Sequence, residues 1–208
     1  MIDIHLITPE RQAALQLPND DFPLIGQLLP SYKEGVWSYQ ERLLADHDIS
    51  LMRFPDETYD LQQINQAGFA LGAFDKETCL GLAIFQDGFF AYSYLADLKV
   101  ASAYRGQGIA SQLLDRGRQI AKERGSRGIY TIGQDNNLIA CRFYLAYGFQ
   151  IGGLDTRAYT GTAQEIDDRV VSALGKEDGK FPLTEATKGN VYYFPGNKKF
   201  YICKEAQT

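Results

Sequence analysis

The sequence predicts an α/β domain of the α+β type, with a mixed, mostly antiparallel twisted sheet flanked by helices. Three observations lead to this prediction. Strand-like runs separated by turn sequences fill residues 68–100, amphipathic helix patterns follow them, and no Pro/Gly/Ser-rich linker divides the 208 residues. A chain of this length is typical of one domain that buries its own core.

The predicted sheet begins with three apolar runs, "GFALGAFD", "CLGLAIFQ" and "FFAYSYLADLKV". The turn sequences "DKET" and "QDG" separate them, so an antiparallel meander is expected. Alternation in the third run predicts a long strand with one face formed by Phe90, Tyr92, Tyr94, Ala96, Leu98 and Val100.

Helix and strand patterns then alternate along the chain. Helical spacing of apolar residues predicts a helix from Ile109 to Arg124, which Gly125 ends. A short buried strand is predicted at "GIYTIGQ", and a further strand at "FQIGGLDTRAYTG". Between them "DNNLIACRFYLAYG" predicts a helix that Asp135 or Asn136 caps and Gly148 ends.

The two ends of the chain carry weaker patterns. In the first 65 residues "PLIGQLLPSY" and "WSYQERLLADHD" predict two short helices, the second starting near Ser38 with Glu41 completing a capping box. After Thr162 a helix is predicted around "EIDDRVVSAL", followed by a loop and a last strand at "KKFYICK".

Composition excludes several classes of protein. The net charge of −5 argues against nucleic acid as a partner, and no apolar run is long enough to cross a membrane. The first residues lack the pattern of a secretory signal, and three separated cysteines predict reduced thiols. With only two histidines, no metal site is expected. A cytoplasmic location follows as an expectation.

Acidic residues are concentrated in one segment. Residues 34–60 hold seven acidic side chains and two arginines, which accounts for the whole net charge. The ordinary interpretation is a solvated surface. The alternative is an electrostatic funnel that attracts a cationic substrate.

The junction "KVASAYRGQGIAS" connects the long predicted strand to the first long helix. Glycines before a helix let the backbone approach an anion, which the helix N-terminus then binds. The dinucleotide pattern G-x-G-x-x-G is incomplete because Ser111 stands in place of its third glycine, and the sequence contains no P-loop motif. A purely structural turn stays open on this pattern alone.

The segment from Val100 to Ala110 resembles the acetyl-CoA signature [RQ]-x-x-G-x-[GA] of the GNAT superfamily of N-acetyltransferases, with Arg105, Gly108 and Ala110 matching. A second stretch, from Asn137 to Phe149, resembles the next helix of the superfamily. The resemblance implies a GNAT fold, acetyl-CoA as cosubstrate, and a coenzyme site formed by Leu98, Lys99, Val100, Arg105, Gly106, Gln107, Gly108, Ile109, Ala110, Ser111, Asn137, Ala140, Phe143 and Tyr144.

Two further stretches, residues 25–44 and 135–159, are similar to streptothricin acetyltransferases. The resemblance covers most of residues 24–160, and the chain departs from it after Gly161. Since no linker divides the sequence, a single domain over residues 1–208 is expected, made of a helical acceptor-side segment (1–65), an acetyl-CoA-binding core (66–160), and an insertion with the last strand (161–208). The resemblance implies acetyl transfer to a primary amine of a small cationic acceptor, of the streptothricin type. Acetylation of protein lysines or N-termini, or a non-catalytic acetyl-CoA-binding regulatory module, stay as alternatives, and the choice between monomer and homodimer is open.

Two residues are candidates for the proton transfers of such a reaction. The resemblance places Tyr144 near the coenzyme sulfur, where its hydroxyl would be the general acid. Many relatives carry a glutamate at the position of Ala96, so the neighbouring Asp97 is the candidate general base, and a mechanism without a dedicated base stays open.

Three aromatic residues near the start of the chain have two interpretations. They either line an acceptor pocket or pack as ordinary aromatic residues: Tyr32, Trp37 and Tyr39. Cys141 is expected to be a small buried side chain.

Overall fold

A computed structural model describes residues 2–88 and 92–155, together with the backbone of three later strands. The chain divides into two compact units, Met1–Lys176 and Glu177–Thr208. The second unit contains the antiparallel pair Val191–Phe194 and Lys199–Ile202, and the latter strand confirms the one predicted at "KKFYICK".

The first unit is built on a seven-stranded sheet. In chain order its strands are β1 (Asp3–Leu6), β6 (Gly68–Asp75), β7 (Thr78–Asp87), β8 (Tyr92–Val100), β9 (Gly128–Gln134), β10 (Gln150–Asp155) and β11 (Val170–Leu174). In space they lie in the order β1-β6-β7-β8-β9-β11-β10. The β8–β9 pair is parallel, and the other neighbouring pairs are antiparallel. The predicted meander and the mixed, mostly antiparallel sheet are therefore confirmed.

In the described part of the chain, three α-helices accompany the sheet: α1 (Leu61–Gln66), α2 (Ile109–Glu123) and α3 (Leu138–Tyr147). The apolar face of α2, including Leu113 and Leu114, packs in the main core on one side of the sheet. Helix α3 ends at Gly148 as predicted, but its cap is Asn137, whose side chain accepts a hydrogen bond from the Ala140 N–H at 3.2 Å. The predicted caps Asp135 and Asn136 lie before the first turn of the helix.

The two helices predicted near the start of the chain are wrong. Residues 26–43 form a hairpin of β3 (Gly26–Lys33) and β4 (Val36–Leu43), and β2 (Phe22–Leu24) pairs with β5 (Ser50–Met52). Glu34 and Gly35, both with positive φ, form a tight turn that joins antiparallel strands. The helix prediction failed because the apolar residues of β3 fit both a helical and an alternating spacing; in the structure they alternate, with Leu28 buried.

The helix predicted around "EIDDRVVSAL" is wrong over the part that the structure describes. Val170–Leu174 is strand β11, which inserts between β9 and β10. Two adjacent β-branched residues, Val170 and Val171, favour this extended form. The strand predicted from Phe149 is confirmed over Gln150–Asp155, and its remaining residues lie outside the described part.

The alternation predicted for the third strand is interrupted by a β-bulge. Asp97 pairs with Ile84 and Leu95 pairs with Phe85, so Ala96 is the extra residue on β8. Leu98 and Val100 pack with Leu95 against the α2 side of the sheet, while Ala96 packs in the core on the other side. The six residues predicted on one face therefore do not share it. Phe90 is outside the described residues.

Over the described ranges, no helix has both the length and the apolar composition needed to cross a membrane.

Candidate active site

Strands β8 and β9 separate at the bulge. Their parallel pairing runs from Tyr92 opposite Gly128 to Leu95 opposite Thr131, whereas β8 continues to Val100 and β9 to Gln134. The Ala101 N–H, just beyond β8, bonds to β7 through the Leu80 carbonyl at 2.9 Å. Because successive peptide groups of a strand point to opposite edges, the N–H groups of Leu98 and Val100 point towards the opened edge.

A cavity of about 450 Å³ lies beside the end of β8. It brings together residues that are far apart in the sequence, from the strand end, the junction, α2 and α3. Thirteen of the fourteen residues predicted to bind coenzyme line it: Leu98, Lys99, Val100, Arg105, Gly106, Gly108, Ile109, Ala110, Ser111, Asn137, Ala140, Phe143 and Tyr144. Gln107 does not line it, and its side-chain amide lies 3.5 Å from the Ala103 carbonyl.

The junction presents backbone to this cavity. Gly106 and Gly108 both have φ of +76°, and a Cβ added at either position would meet no protein atom within 4 Å. Gly108 is the N-cap of α2 and carries no side chain that could satisfy the first N–H groups of the helix. The first turn of α2, which includes Ala110 and Ser111, therefore offers N–H donors and a helix dipole to an anion.

Arg105 links the junction to the end of β8 and to the loop before β2 by hydrogen bonds. Its Nε donates to the Val100 carbonyl at 3.1 Å, and one terminal nitrogen donates to the Asp21 carbonyl at 3.0 Å. The Ser102 N–H donates to the Asp20 carboxylate at 2.6 Å, and this hydrogen bond holds the pKa of Asp20 below its usual value. The guanidinium group thus ties the loop before β2 to the end of β8 while its charge stays at the cavity.

Helix α3 forms another wall. Asn137 has two roles in the structure, because it caps the helix and also lines the cavity. Burial raises the pKa of the Tyr144 hydroxyl well above its usual value, an effect that a hydrogen bond with the Thr131 side chain opposes. Thr131 in turn donates to the Leu95 carbonyl at 3.1 Å, at the point where β8 and β9 separate. Tyr144 is therefore a protonated hydroxyl at neutral pH, next to the opened edge.

Asp97 lies beside the cavity but does not line it; its neighbours Leu98 and Lys99 do. Its carboxylate accepts a hydrogen bond from the Tyr59 hydroxyl at 3.1 Å and lies 3.2 Å from the Lys99 ammonium nitrogen. Lys99 is also 3.2 Å from the Glu57 carboxylate. Burial raises the pKa of Asp97, and the charge of Lys99 partly reverses that shift.

One part of the cavity lining was not predicted. It is formed by Pro18, Asn19, Asp20, Phe22 and Phe54, and the last two have ring centroids 5.1 Å apart. Tyr104 and Ile139 complete the lining. No local motif marks these residues, because the β2–β5 pairing brings two distant segments together. Only the concentration of aromatic and acidic residues before position 60 signals them.

Other candidates lie away from the cavity. Tyr32 and Trp37 pair on the β3–β4 hairpin with ring centroids 4.9 Å apart, and Tyr39 is exposed on the same hairpin. Cys141 is buried as expected, packed against Leu28 and Leu138. Within the described residues, no three His, Cys, Asp or Glu side chains are placed to hold a metal ion.

Comparisons with known proteins agree with this geometry. Residues 35–149 match the family model of the acetyltransferase (GNAT) family. Streptothricin acetyltransferase A of Bacillus subtilis (strain 168) is 31% identical over 152 residues, which cover 72% of this chain and 87% of that protein.

Two crystal structures share the fold. A candidate streptothricin acetyltransferase from Bacillus anthracis str. Ames, solved with acetyl coenzyme A, superposes with a TM-score of 0.74 at 22% identity, over 84% of this chain and 98% of that one. Nourseothricin acetyltransferase superposes with a TM-score of 0.68 at 20% identity, over 84% and 97%. Since the family model spans more than half of the sequence, the chain belongs to the acetyltransferase (GNAT) family.

Proposed function

We propose that this acetyltransferase uses acetyl-CoA to acetylate a primary amine of a small cationic acceptor of the streptothricin type. The observation that carries the proposal is the cavity at the opened edge of β8, where the uncapped start of α2 meets Tyr144. The likeness to streptothricin acetyltransferase A supports the choice of acceptor, and so do the Asp56 and Glu57 carboxylates, which contact the cavity residues Asn19 and Lys99.

The residues of the cavity fit the coenzyme. The N–H groups at the start of α2 and the charge of Arg105 would hold the pyrophosphate, and open space at Gly106 and Gly108 would let it approach the backbone. The small Ala140 would leave room for the pantetheine arm on the α3 side. The bound coenzyme supplies the acetyl group as a thioester. The N–H groups of Leu98 and Val100, which point towards the opened edge, would stabilise negative charge on the acetyl oxygen.

Two side chains would move protons. A lysine-like amine must first lose its proton, which at pH 7 costs about 4.6 kcal/mol because its pKa is near 10.4. Asp97, 15% exposed and so within reach of water, would accept that proton. Tyr144 keeps its own proton at neutral pH and would donate it to the sulfur as the thioester bond breaks.

A turnover assay tests the proposal. Acetyl-CoA and the purified protein are mixed with streptothricin, lysine-containing peptides or peptides with free N-termini, and released thiol is measured. We expect turnover with streptothricin at a far higher kcat/KM than with either peptide class. Faster reaction with a peptide would assign a protein acetyltransferase instead, and thiol release with none of them would overturn the proposed acceptor.

A further inference from the structure

Four side chains from two segments meet beside the cavity, and we name them the Lys99 cluster: Glu57, Tyr59, Asp97 and Lys99. The Lys99 ammonium nitrogen is 3.2 Å from a carboxylate oxygen of Glu57 and 3.2 Å from one of Asp97. Its side chain is only 9% exposed. A lysine at this level of burial needs its charge compensated, and here two carboxylates compensate it.

The cluster joins the strand to the loop before α1. The Tyr59 hydroxyl donates to the same Asp97 oxygen that Lys99 contacts, and the Lys99 ammonium lies 5.5 Å from the Tyr59 ring centroid. Glu57 also accepts a hydrogen bond from the Asn19 amide at 2.9 Å. Lys99 and Asn19 both line the cavity, so the cluster extends from the Asp97 carboxylate to the cavity wall.

We infer that Lys99 is a positioning residue for acetyl transfer, which fixes the Asp97 carboxylate in its charged, proton-accepting form while Tyr59 holds the same oxygen in place. The inference rests on the proposed function, because it needs Asp97 to act as the base. Two features support it: one Asp97 oxygen binds both Lys99 and Tyr59, and Lys99 alone brings a positive charge to the cluster.

The proton balance of the step is simple. The acceptor ammonium gives one proton, through water, to the Asp97 carboxylate, and its nitrogen forms a bond to the acetyl carbon. The carbon–sulfur bond breaks, and the sulfur takes the Tyr144 proton. The nitrogen, which became positively charged on bonding to carbon, gives its second proton through water to the Tyr144 phenolate, and one N–H stays on the amide. Protonated Asp97 then releases its proton to solvent. Asp97 must be ionised at the start of each cycle, which is the condition that Lys99 favours.

Charged and titratable groups reach Asp97 from three sides. Lys99 lies on its own strand, Glu57 and Tyr59 come from the segment before α1, and Tyr144 of α3 interacts with it electrostatically. Lys99 and the Tyr59 hydrogen bond lower the pKa of Asp97, whereas Glu57 raises it. Removing Lys99 therefore raises that pKa, so the ionised form is lost at a higher pH.

The test is the dependence of the acceptor kcat/KM on pH, measured from pH 4 to 8 with streptothricin. We expect the acid limb of Lys99→Met to move upward by about one to three pH units, because a nearby opposite charge lowers a carboxyl pKa by about that amount. Lys99→Arg keeps the charge and should restore the wild-type limb. The acceptor amine titrates near about 10.4, above this range, so it gives log kcat/KM the same constant slope in every variant. The acid limb is the additional fall below that slope at low pH.

Three further variants complete the design. Tyr59→Phe removes only a hydrogen bond and should move the limb in the same direction by less, which also covers the case in which Lys99→Met does not fold. Lys33→Met is the matched control, since that lysine is exposed on the hairpin. Asp97→Asn should remove the limb.

The outcomes distinguish failure of the inference about Lys99 from failure of the proposed function. An unchanged limb in both Lys99→Met and Tyr59→Phe, or equal shifts in Lys99→Met and Lys99→Arg, would overturn the inference. A limb that persists in Asp97→Asn would overturn it as well, while leaving acetyl transfer in place. Absence of turnover by the wild-type protein would instead overturn the proposed function.

Discussion

The Tyr144 hydroxyl lies where β8 and β9 separate, and its environment favours the protonated form. Burial raises its pKa, and the negative charge of Asp97 raises it further. A phenol that stays protonated can donate to a leaving sulfur but cannot act as a base at neutral pH. The burial of this residue therefore excludes a role as base at neutral pH, and proton donation is the role left to test.

Substitution of Tyr144 by Phe tests this role. The change keeps the ring contacts with Phe143 and Phe149 and removes only the proton donor. We expect kcat to fall by about 10²–10⁴-fold, with the affinity for acetyl-CoA nearly unchanged.

Tyr147 provides the matched control for this substitution. It lies on the same helix, but its hydroxyl donates to Asp115 at 2.7 Å and the residue does not line the cavity. Tyr147→Phe should therefore keep kcat within a few-fold of wild type, because substitutions outside the site have small effects. Equal losses of kcat in the two variants would show that a helix tyrosine matters here for stability and not for proton donation.

At the scale of single elements, helix α2 carries glycines with positive φ beyond both ends. Gly108 precedes the helix with φ of +76°, and Gly125 follows it with φ of +91°. Neither position has a protein atom near an added Cβ. Only Gly108 faces the cavity, so the two positions separate backbone strain from coenzyme binding.

We expect Gly108→Ala and Gly125→Ala each to lower the free energy of unfolding by about 1–2 kcal/mol, because a side chain disfavours this conformation. Only Gly108→Ala should weaken acetyl-CoA binding, by about tenfold or more, since its methyl group enters the space that the pyrophosphate needs. Calorimetric titration with acetyl-CoA measures the difference. Similar affinities of the two variants would mean that the junction is only a structural turn.

The β3–β4 hairpin shows where the sequence was insufficient. Its turn, formed by Glu34 and Gly35, has a local signal, but the spacing around Leu28 and Leu29 also fits a helix. Docking against α3 decides between them: the Leu28 N–H donates to the Asp135 carbonyl at 2.8 Å, and Glu41 forms an ion pair with Arg142. These contacts join residues about a hundred positions apart, which no local pattern encodes.

The hairpin also supplies a stability test. Leu28 is 1% exposed and packs with Leu138 and Cys141, whereas Leu43 of the same hairpin is 61% exposed. We expect Leu28→Ala to lower the free energy of unfolding by about 2–5 kcal/mol and Leu43→Ala by less than about 0.5 kcal/mol. Urea unfolding measures both. A small effect of Leu28→Ala would show that the hairpin contributes little to the first unit.

The part of the cavity lining that is proposed to bind the coenzyme was predictable because its sequence patterns are local. A glycine turn before a helix, and a second helix with a small residue and a tyrosine, are readable as short patterns. The lining by Phe22 and Phe54 was not predictable, since these residues meet through the β2–β5 pairing of two distant segments. The bulge at Ala96, which changes the face of each residue after it, leaves no signal in the alternation of the sequence.

At the scale of the whole molecule, the negative charge of residues 34–60 is unevenly placed with respect to the cavity. Asp56 accepts a hydrogen bond from the N–H of Asn19, a cavity residue, and Glu57 contacts Lys99, another one. Asp60 caps α1 instead, and Asp46 lies on an exposed turn. An electrostatic funnel at this cavity therefore depends on Asp56 and Glu57 and not on the segment as a whole.

Asp56→Asn is the sharper test of the funnel, because the amide oxygen can still accept from the Asn19 N–H, while the carboxylate charge and its ion pair with Arg53 are lost. Asp46→Asn also removes one negative charge and is the matched control. We expect the acceptor KM of Asp56→Asn to rise by about two- to fivefold at low salt. The difference from wild type should vanish towards 1 M salt, where the screening length falls to about 3 Å. The KM for acetyl-CoA should stay constant.

Equal effects of the two substitutions would assign the salt dependence to net charge alone, and no effect of either would leave the segment as a solvated surface.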